Sequence, residues 1–307
     1  MRNNRKFYLM LDVGGTNIKA GILSENGVLE KTGIRFFEAK AKGSQEEIFK
    51  NFAEVLHTLM ENLPEKDARI EGIGMAFPGP FDYEKGVSLM RGLGKYDSIY
   101  GLSISEEMKR YFPSPEKKEL LAEKCRFIFL HDVEAFAIGE CHFGEVKNCK
   151  RVMYLCIGTG AGSAFTSHGK ILKGEEGAPP MGWIFNTPFR EGIIDDYLSV
   201  RGLAAISRKV MGEEKSGREL AELCQRENAR ALTVYEEFGD LLREAALPFL
   251  DSFGPDGFVL GGQMSKSFSY FGGALSEECE KRGIKIFLTA DTSRRALEGL
   301  YVYARDL

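Results

Sequence analysis

The chain has 307 residues and a formal net charge of −4, with 43% hydrophobic and 28% charged residues. This length and composition are typical of a globular protein with a large core, and they predict two domains. The acidic balance argues against a nucleic-acid partner or an anionic membrane surface.

The lack of a recognisable targeting signal and the scattered cysteines predict a cytoplasmic protein. No stretch is long enough to span a bilayer, and the apolar run after the basic N-terminus reaches Asp12 too soon for a signal peptide. The six cysteines are scattered along the chain. Because nothing marks secretion, we interpret them as reduced thiols.

The segment Phe7–Leu23 reads as a strand, an acidic residue, a glycine turn and a second strand. Asp12 ends the first strand, and Gly14, Gly15 and Thr16 form the turn. Adjacent glycines allow positive φ and a close approach of a ligand, and successive N–H groups in such a turn bind anions. A carboxylate there would repel a bare phosphate but can hold Mg²⁺ through water. The pattern fits a plain hairpin equally well, since Gly-Gly is a strong hairpin signal.

Between this turn and residue 117, the pattern predicts strands at 28–36 and 70–76 and helices at 44–62 and 103–111. Ser44, with Glu47 three residues later, forms a capping box for the helix at 44–62. Pro78-Gly79-Pro80 then requires a turn. Prolines and a charged run over 113–123 mark the predicted crossing into the second domain, although a solvated helix face would read the same way.

The second half repeats the first pattern at Arg151–Thr166, with Thr159 and Gly160 in the turn. Aligned on the turns, Asp12 falls opposite Cys156, so only the first copy carries a carboxylate. Two such units suggest similar domains facing one phosphate chain, although the repeat is short and degenerate. Further strands are predicted at 126–130, 152–157, 163–166, 258–260 and 284–287, and helices at 133–143 and 294–304. From 193 to 253 the pattern is helical, with glycine breaks near Gly212 and Gly217.

The first turn, LDVGGTNIKAG, resembles the first phosphate loop of the actin/hexokinase-like ATPase superfamily. Within it, the chain resembles the ROK family of bacterial sugar kinases, repressors and uncharacterised reading frames. Four further landmarks follow in family order: GIGMAFPGPFD, FLHDVEAFAIGE, CIGTGAGSAF and FVLGGQMSKS. The resemblance implies two ribonuclease-H-like α/β domains with mixed sheets flanked by helices and a cleft between them. We expect a small domain at 1–117 plus 293–307, completed by the returning last helix, and a large domain at 118–292.

The resemblance implies that Asp132 is the catalytic base. Phosphoryl transfer to a hydroxyl needs a carboxylate that accepts the proton. By position alone, at a strand end that opens a helix, Asp132 could instead be a helix cap. The family has a typical Asn-Asp pair here, and His131 replaces the Asn. Its imidazole could bind a sugar hydroxyl or be a structural histidine.

The resemblance also implies ATP and Mg²⁺ as cofactors. The magnesium would be held by phosphate oxygens and approached by Asp12 through water. Phosphates would lie against Gly14, Gly15, Thr16 and Asn17 in the first loop and against Thr159 and Gly160 in the second. Gly261 and Gly262 would let the adenosine approach the backbone. Each glycine alone fits a tight turn equally well.

The sugar side departs most from the family. The implied contacts are Pro78, Gly79, His131, Asp132, Trp183 and Asp195. The family stretch A-G-E-x-G-H is Ala178–Trp183 here, with Pro180 for the Glu and Trp183 for the His. Asp195 matches a further family Glu but is one methylene shorter. Trp183 could stack on a sugar ring or pack in the core. Because 184–194 holds no Cys or His, we predict no structural zinc.

These features predict an ATP-dependent sugar kinase with altered specificity, acting on a small-molecule sugar. A non-catalytic sugar- or nucleotide-binding pseudokinase, or sensor, is the alternative, because the sugar-binding Glu and His are replaced. An ATPase of the same fold would use water in place of the sugar. A repressor is disfavoured, since the first strand begins near Phe7 and no nucleic-acid partner is expected. Family members are commonly dimers or tetramers, so a homodimer is expected by resemblance alone.

Overall fold

The structure is a computed structural model that describes residues 5–65 and 67–307. The chain divides into two units: one runs to Phe143 and resumes at Ser293–Leu307, and the other is Gly144–Thr292. The sequence placed the crossing after residue 117, at the charged run. The first unit extends further because the strand that follows this run, Leu121–His131, pairs in parallel with Arg69–Phe77.

The strands follow in chain order as β1 (Lys6–Val13), β2 (Asn17–Ser24), β3 (Arg35–Glu38), β4 (Arg69–Phe77), β5 (Phe81–Asp82), β6 (Val87–Ser88), β7 (Leu121–His131), β8 (Arg151–Ile157), β9 (Ala161–Ser167), β10 (Lys170–Ile171), β11 (Pro188–Phe189), β12 (Gly192–Ile193), β13 (Gly257–Gly261) and β14 (Lys285–Thr289). The helices are α1 (Gln45–Glu61), α2 (Ile104–Met108), α3 (Asp132–Phe143), α4 (Ile194–Tyr197), α5 (Val200–Met211), α6 (Gly217–Cys224), α7 (Ala229–Phe253), α8 (Phe268–Phe271), α9 (Gly273–Lys281) and α10 (Thr292–Asp306).

The two units contain sheets of the same design. The first has the order β3-β2-β1-β4-β7, and the second has the order β10-β9-β8-β13-β14. In each sheet, the central strand is antiparallel to the neighbour that follows it in the chain and parallel to the neighbour on its other side. The short sequence repeat therefore reflects a repeated topology, and the predicted α/β class with mixed sheets flanked by helices is confirmed.

Helix α1 covers the first sheet because its apolar residues recur on one face. Phe49, Phe52 and Leu56 are fully buried. Its start has the predicted capping box: the Ser44 hydroxyl accepts from the Glu47 N–H at 3.3 Å, and the Glu47 carboxylate accepts from the Ser44 N–H at 2.7 Å.

The strand predicted at 28–36 was misplaced, because it is observed only as β3 at its far end. Leu29 makes a single bridge to Leu23, and Gly33 then turns the chain with φ of 65°. Residues 28–34 therefore meet the end of β2 at a single bridge and form no ladder.

Helix α10 returns to the first unit, as predicted, and crosses α3 closely. A Cβ on Gly139 would collide with the Arg295 carbonyl oxygen, and one on Gly299 would collide with the Ala135 carbonyl oxygen. Beside this crossing, Arg295 pairs with the buried Glu140 at 3.2 Å. The glycines let two backbones meet where other residues would hold them apart.

The second unit surrounds β8 and β13 with helices. The helical region predicted at 193–253 contains α4 to α7, and Gly212, one of the predicted breaks, ends α5 in the left-handed region with φ of 85°. Helix α7 supplies Tyr235, Phe238 and Leu242 to a core that also contains Phe258 of β13. Among the helices of the described ranges, none has the length and apolar character needed to cross a membrane.

Candidate active site

The predicted site residues of the first unit share one edge of its sheet. Asp12 of β1 pairs in register with Ala76 of β4, and Ala76 pairs with Leu130 of β7. Since these three strands are parallel, their carboxyl ends meet at the same edge. Pro78 and Gly79 follow β4 there, and Asp132 follows β7.

Asp12 lies in a desolvated position at this edge. Burial raises the pKa of its carboxyl group, and the negative charge of Asp132 adds to the rise; Ser293 and Lys19 act against it. The Lys19 ammonium is 3.7 Å from the carboxylate and donates to the Ser293 hydroxyl at 2.6 Å. Lys19 could have been anticipated as the residue opposite Asp12 in a hairpin, but no local signal points to Ser293, which is distant in sequence.

The first glycine loop closes through a single backbone hydrogen bond. The Gly14 N–H donates to the Asn17 carbonyl at 3.0 Å, and a Cβ on Gly14 would lie 2.9 Å from that oxygen. Gly14 and Gly15 do not use the positive φ that adjacent glycines allow. Gly14 is required by the close approach. Within the described chain, no protein acceptor is recorded for the Gly15 and Thr16 N–H groups, which suits an anion.

Tyr96 fixes this loop through a hydrogen bond to its backbone, a role that the sequence did not indicate. Its buried hydroxyl donates to the Gly14 carbonyl at 2.9 Å, and its N–H donates to the Ala41 carbonyl at 2.6 Å. Its φ of 58° is unusual for a bulky residue and is held by these bonds. The side chain of the preceding Lys95 passes within 3.4 Å of the Cβ position of Gly15 and lines a cleft of about 420 Å³.

Asp132 opens α3 with its side chain 43% exposed. One carboxylate oxygen accepts from the Val133 N–H at 2.8 Å, and the His131 Nε2 is 3.4 Å from the same oxygen. The other oxygen is available to solvent or substrate as far as the described contacts show. Asp132 therefore contacts the start of α3 and also has an accessible carboxylate, so its geometry is compatible with both a helix cap and a catalytic base.

Tyr83 belongs to the same neighbourhood and was missed. Its ring meets that of His131 edge-on at 6.0 Å, and its hydroxyl donates to the Phe77 carbonyl at 2.9 Å. The hydroxyl is 3.5 Å from the Cβ position of Gly79. Burial raises the pKa of Tyr83, and the charges of Asp132 and Glu134 raise it further. An aromatic residue three positions after the Pro-Gly-Pro turn was the only available signal.

The second glycine loop is also closed by a backbone hydrogen bond, but it is one residue tighter than the first. The Gly158 N–H donates to the Gly160 carbonyl at 2.9 Å, and the Thr159 and Gly160 N–H groups have no protein acceptor among the described residues. Asp195 lies against this loop and accepts from the Ala161 N–H at 2.8 Å. The sequence had associated Asp195 with the sugar; its recorded partners are Ala161 and the Arg201 guanidinium, 2.7 Å away.

Gly261 and Gly262 lie beside the second loop. Gly261 pairs with Cys156 of β8 and with Thr289 of β14. Gly262 has φ of 91°, and a Cβ there would lie 2.9 Å from the Ile157 carbonyl oxygen. Both the conformation and the close approach require glycine at this position, so the predicted adenosine loop and second phosphate loop meet at one sheet edge.

Trp183 lies elsewhere in the second unit, after a turn of 3₁₀ helix at Pro180–Gly182. Its ring is 5.7 Å from that of Phe185, whose carbonyl accepts the Asp195 N–H at 3.0 Å. Trp183 is partly exposed, so its burial does not decide between stacking on a sugar ring and packing in the core. The described residues contain no group of three or more His, Cys, Asp or Glu able to hold a metal ion.

Comparison with known proteins decides the family. The model of the ROK family matches residues 8–295. The chain belongs to the ROK family. Similar proteins include a glucokinase of Thermotoga maritima, 24% identical over 292 residues that cover 87% of this chain and 85% of that protein. An N-acetyl-D-glucosamine kinase of Haemophilus influenzae is 25% identical over 288 residues, covering 87% of each.

A solved ROK structure has the same fold. The ROK family glucokinase from Streptomyces griseus, in complex with glucose and AMPPNP, superposes with a TM-score of 0.71 at 16% identity. The superposition covers 98% of this chain and all of that one (100%). The shared fold is that of the actin/hexokinase-like ATPases.

Proposed function

We propose that the protein is an ATP-dependent kinase that phosphorylates a hydroxyl group of a sugar, with a specificity that differs from that of its glucokinase relatives. The observation that carries this proposal is the accessible Asp132 carboxylate at the same sheet edge as a glycine loop with open N–H groups. Membership of the ROK family, whose relatives named above are sugar kinases, supports it.

Each unit has a glycine loop that would bind a phosphate group of a nucleotide. Gly15 and Thr16 in the first loop, and Thr159 and Gly160 in the second, have N–H groups suited to phosphate oxygens. Asn17 closes the first loop through its carbonyl group. Gly261 and Gly262 would present backbone without a side chain to the adenosine. Each loop lacks the side-chain bulk that would keep a ligand at a distance.

Magnesium fits the first unit through Asp12. The carboxylate is a hard oxygen ligand, and its raised pKa reports unfavourable charge that a divalent cation would offset. Since the described residues form no metal-binding cluster, phosphate oxygens and water would supply most of the ligands. Bound magnesium would neutralise charge on the phosphates during transfer.

Asp132 would act as the base. One of its oxygens is occupied by the Val133 N–H, which fixes the carboxylate in place, and the exposed side chain can reach a hydroxyl. The His131 Nε2 lies 3.4 Å from this carboxylate. His131 would orient the carboxylate or bind a neighbouring hydroxyl of the substrate. Pro78 and Gly79 would form the adjoining wall, which Tyr83 supports through its bond to Phe77.

The sugar would contact fewer charged side chains here than in the family pattern. Pro180 offers neither a polar side chain nor an N–H group. Trp183 would supply a stacking face and one donor. A pocket with fewer groups that read hydroxyls discriminates less sharply between sugars. We therefore expect a substrate other than glucose or N-acetylmannosamine, or weak selection among several sugars.

A sugar- or nucleotide-responsive protein without kinase activity is the second candidate. It is favoured by one observation: Asp195, the acidic residue expected at the sugar, has recorded bonds to Ala161 and Arg201 instead.

The test is a coupled ADP-release assay with Mg-ATP across hexoses, N-acetylhexosamines and sugar alcohols. Asp132→Asn should lower sugar-dependent kcat by at least about 100-fold while leaving ADP affinity within about threefold, because a general base acts on the proton and not on the nucleotide. Glu106→Gln, which removes an exposed carboxylate of α2, is the matched control.

Wild-type activity in the Asp132 variant would remove the base from the proposal. Absence of turnover with every sugar, while ADP or sugar still binds in calorimetry, would favour the second candidate.

A further inference from the structure

The second glycine loop is held by one short segment that follows it in the sequence. The Val200 N–H donates to the Gly158 carbonyl at 2.9 Å, and the Asp195 Oδ1 accepts from the Ala161 N–H at 2.8 Å. A Cβ on Gly160 would lie 2.5 Å from the same oxygen. The Asp195 carboxylate is therefore packed directly against the loop.

A carboxylate in this position opposes the binding of a phosphate. Like charges a few ångströms apart repel each other, and the repulsion grows as water is displaced. The first loop has a carboxylate of its own, Asp12, for which magnesium offers compensation. The Asp195 charge therefore needs a nearby cation to offset it before a phosphate can bind at this loop.

Arg201 supplies that charge. Its guanidinium NH2 is 2.7 Å from the Asp195 Oδ2, and its side chain remains 64% exposed. A guanidinium has five N–H donors, and the recorded contact uses one of its amino groups. Arg201 is the second residue of α5, so its fixed position next to the loop follows from the bond between Val200 and Gly158. An exposed, anchored guanidinium beside open backbone N–H groups is a phosphate-binding arrangement.

We propose that Arg201 binds a phosphate group of the nucleotide at the second glycine loop, and that Asp195 is a positioning residue that anchors both the loop and the guanidinium. This inference rests on the proposed nucleotide-dependent function. It assigns Asp195 to the nucleotide instead of the sugar, since its two carboxylate oxygens bind Ala161 and Arg201.

The test measures binding of ADP, with Mg²⁺ present, to the full chain by titration calorimetry. Arg201→Met should weaken binding about tenfold or more, because it removes a charge-assisted donor and exposes the Asp195 charge to the phosphate. The control is Arg208→Met, which removes an exposed guanidinium from the same helix, where it pairs with Glu214. This control should stay within about twofold of wild type.

A double variant separates electrostatics from loss of structure. Asp195→Asn keeps an oxygen for the Ala161 N–H while removing the negative charge. In the presence of Arg201→Met it should recover part of the lost ADP affinity, and the dependence of binding on salt should be smaller than in wild type. A purely structural role would instead make the double variant bind as weakly as the single variant, or more weakly.

The outcomes separate this inference from the kinase proposal. Wild-type ADP affinity in Arg201→Met, or lost sugar affinity with unchanged ADP affinity in Asp195→Asn, would overturn the inference and leave the kinase proposal standing. Weakened ADP binding in Arg201→Met, in a protein that turns over no sugar, would support the inference and overturn the kinase proposal. A wild-type chain that binds no ADP would overturn both.

Discussion

At the scale of single residues, Asp12 places a charge where the fold alone does not favour one. Burial and the nearby Asp132 raise the pKa of its carboxyl group. Folded protein therefore binds the proton at Asp12 more tightly than the unfolded chain. This contribution to stability is fully present below the pKa of the unfolded chain and is lost as pH rises through the folded-state pKa.

Asp12→Asn should stabilise the ligand-free protein at neutral pH and impair magnesium-dependent turnover. The charge that is costly to bury is gone, but so is the oxygen ligand. We expect the melting temperature to exceed that of wild type by roughly 2 °C at pH 7.

The comparison is made by calorimetry in the absence of nucleotide at several pH values. The difference between variant and wild type should shrink from about pH 7 toward pH 4, where the wild-type carboxyl becomes protonated. A variant that is less stable than wild type at neutral pH would contradict the argument from burial.

The site residues that the sequence predicts are those that lie next to recognisable turns. Asp12, Asp132 and the loop glycines stand at strand ends, where period and composition change together. Tyr96, Ser293 and Arg201 carry no such mark. They reach the loops through tertiary packing, across 82 positions in the case of Tyr96 and Gly14.

At the scale of elements, the glycine loops show that a sequence can indicate a required glycine without giving the reason for it. Adjacent glycines allow both positive φ and close approach, and at Gly14 the structure shows a close approach, with 2.9 Å between its Cβ position and the Asn17 carbonyl oxygen. Gly262 does have positive φ. Composition shows that a side chain is excluded, but only the folded backbone shows whether conformation or space excludes it.

The crossing of α3 and α10 gives a prediction for stability. Gly299→Ala should destabilise the protein by about 2 kcal/mol, because the added methyl group would collide with the Ala135 carbonyl oxygen and force the helices apart. Urea unfolding followed by circular dichroism measures the change.

The control is Gly273→Ala, at the start of α9, where a Cβ would meet no atom within 4 Å. That variant should be neutral or slightly more stable, since alanine restricts the unfolded chain. Equal stability of the two variants would show that the crossing relaxes without cost.

At the scale of the whole molecule, the duplicated sheet order explains how much of the architecture could be predicted. The two strand–glycine–strand segments were visible because each central strand ends in an exposed turn. The parallel additions β4, β7, β13 and β14 were predicted as separate strands, but their order is set by pairing that leaves no local pattern. The first unit runs past the predicted crossing because β7, which follows the charged run, pairs with β4 through contacts that leave no local pattern.

Removal of residues 293–307 should unfold the first unit selectively. These residues contain most of α10 and the Ser293 partner of Lys19, and they belong to the first unit. In a chain ending at Thr292, hydrogen exchange should lose protection in β1 and β4 and keep it in β8 and β13.

Uniform loss of protection would contradict this expectation, as would unchanged protection of β1. The truncated and full-length chains are compared at equal concentrations of soluble protein, because exposed apolar surface promotes aggregation.

The return of α10 also dictates an order of events during translation. A ribosome releases the loops and strands of the first unit early, but the helix that packs on α3 emerges only after all of Gly144–Thr292. At roughly 5–20 residues per second, the nascent first unit waits several seconds for its last element while the second unit can already fold. The half of the protein that is made first is therefore the half that is finished last, and it is the one whose exposed surface chaperones would meet.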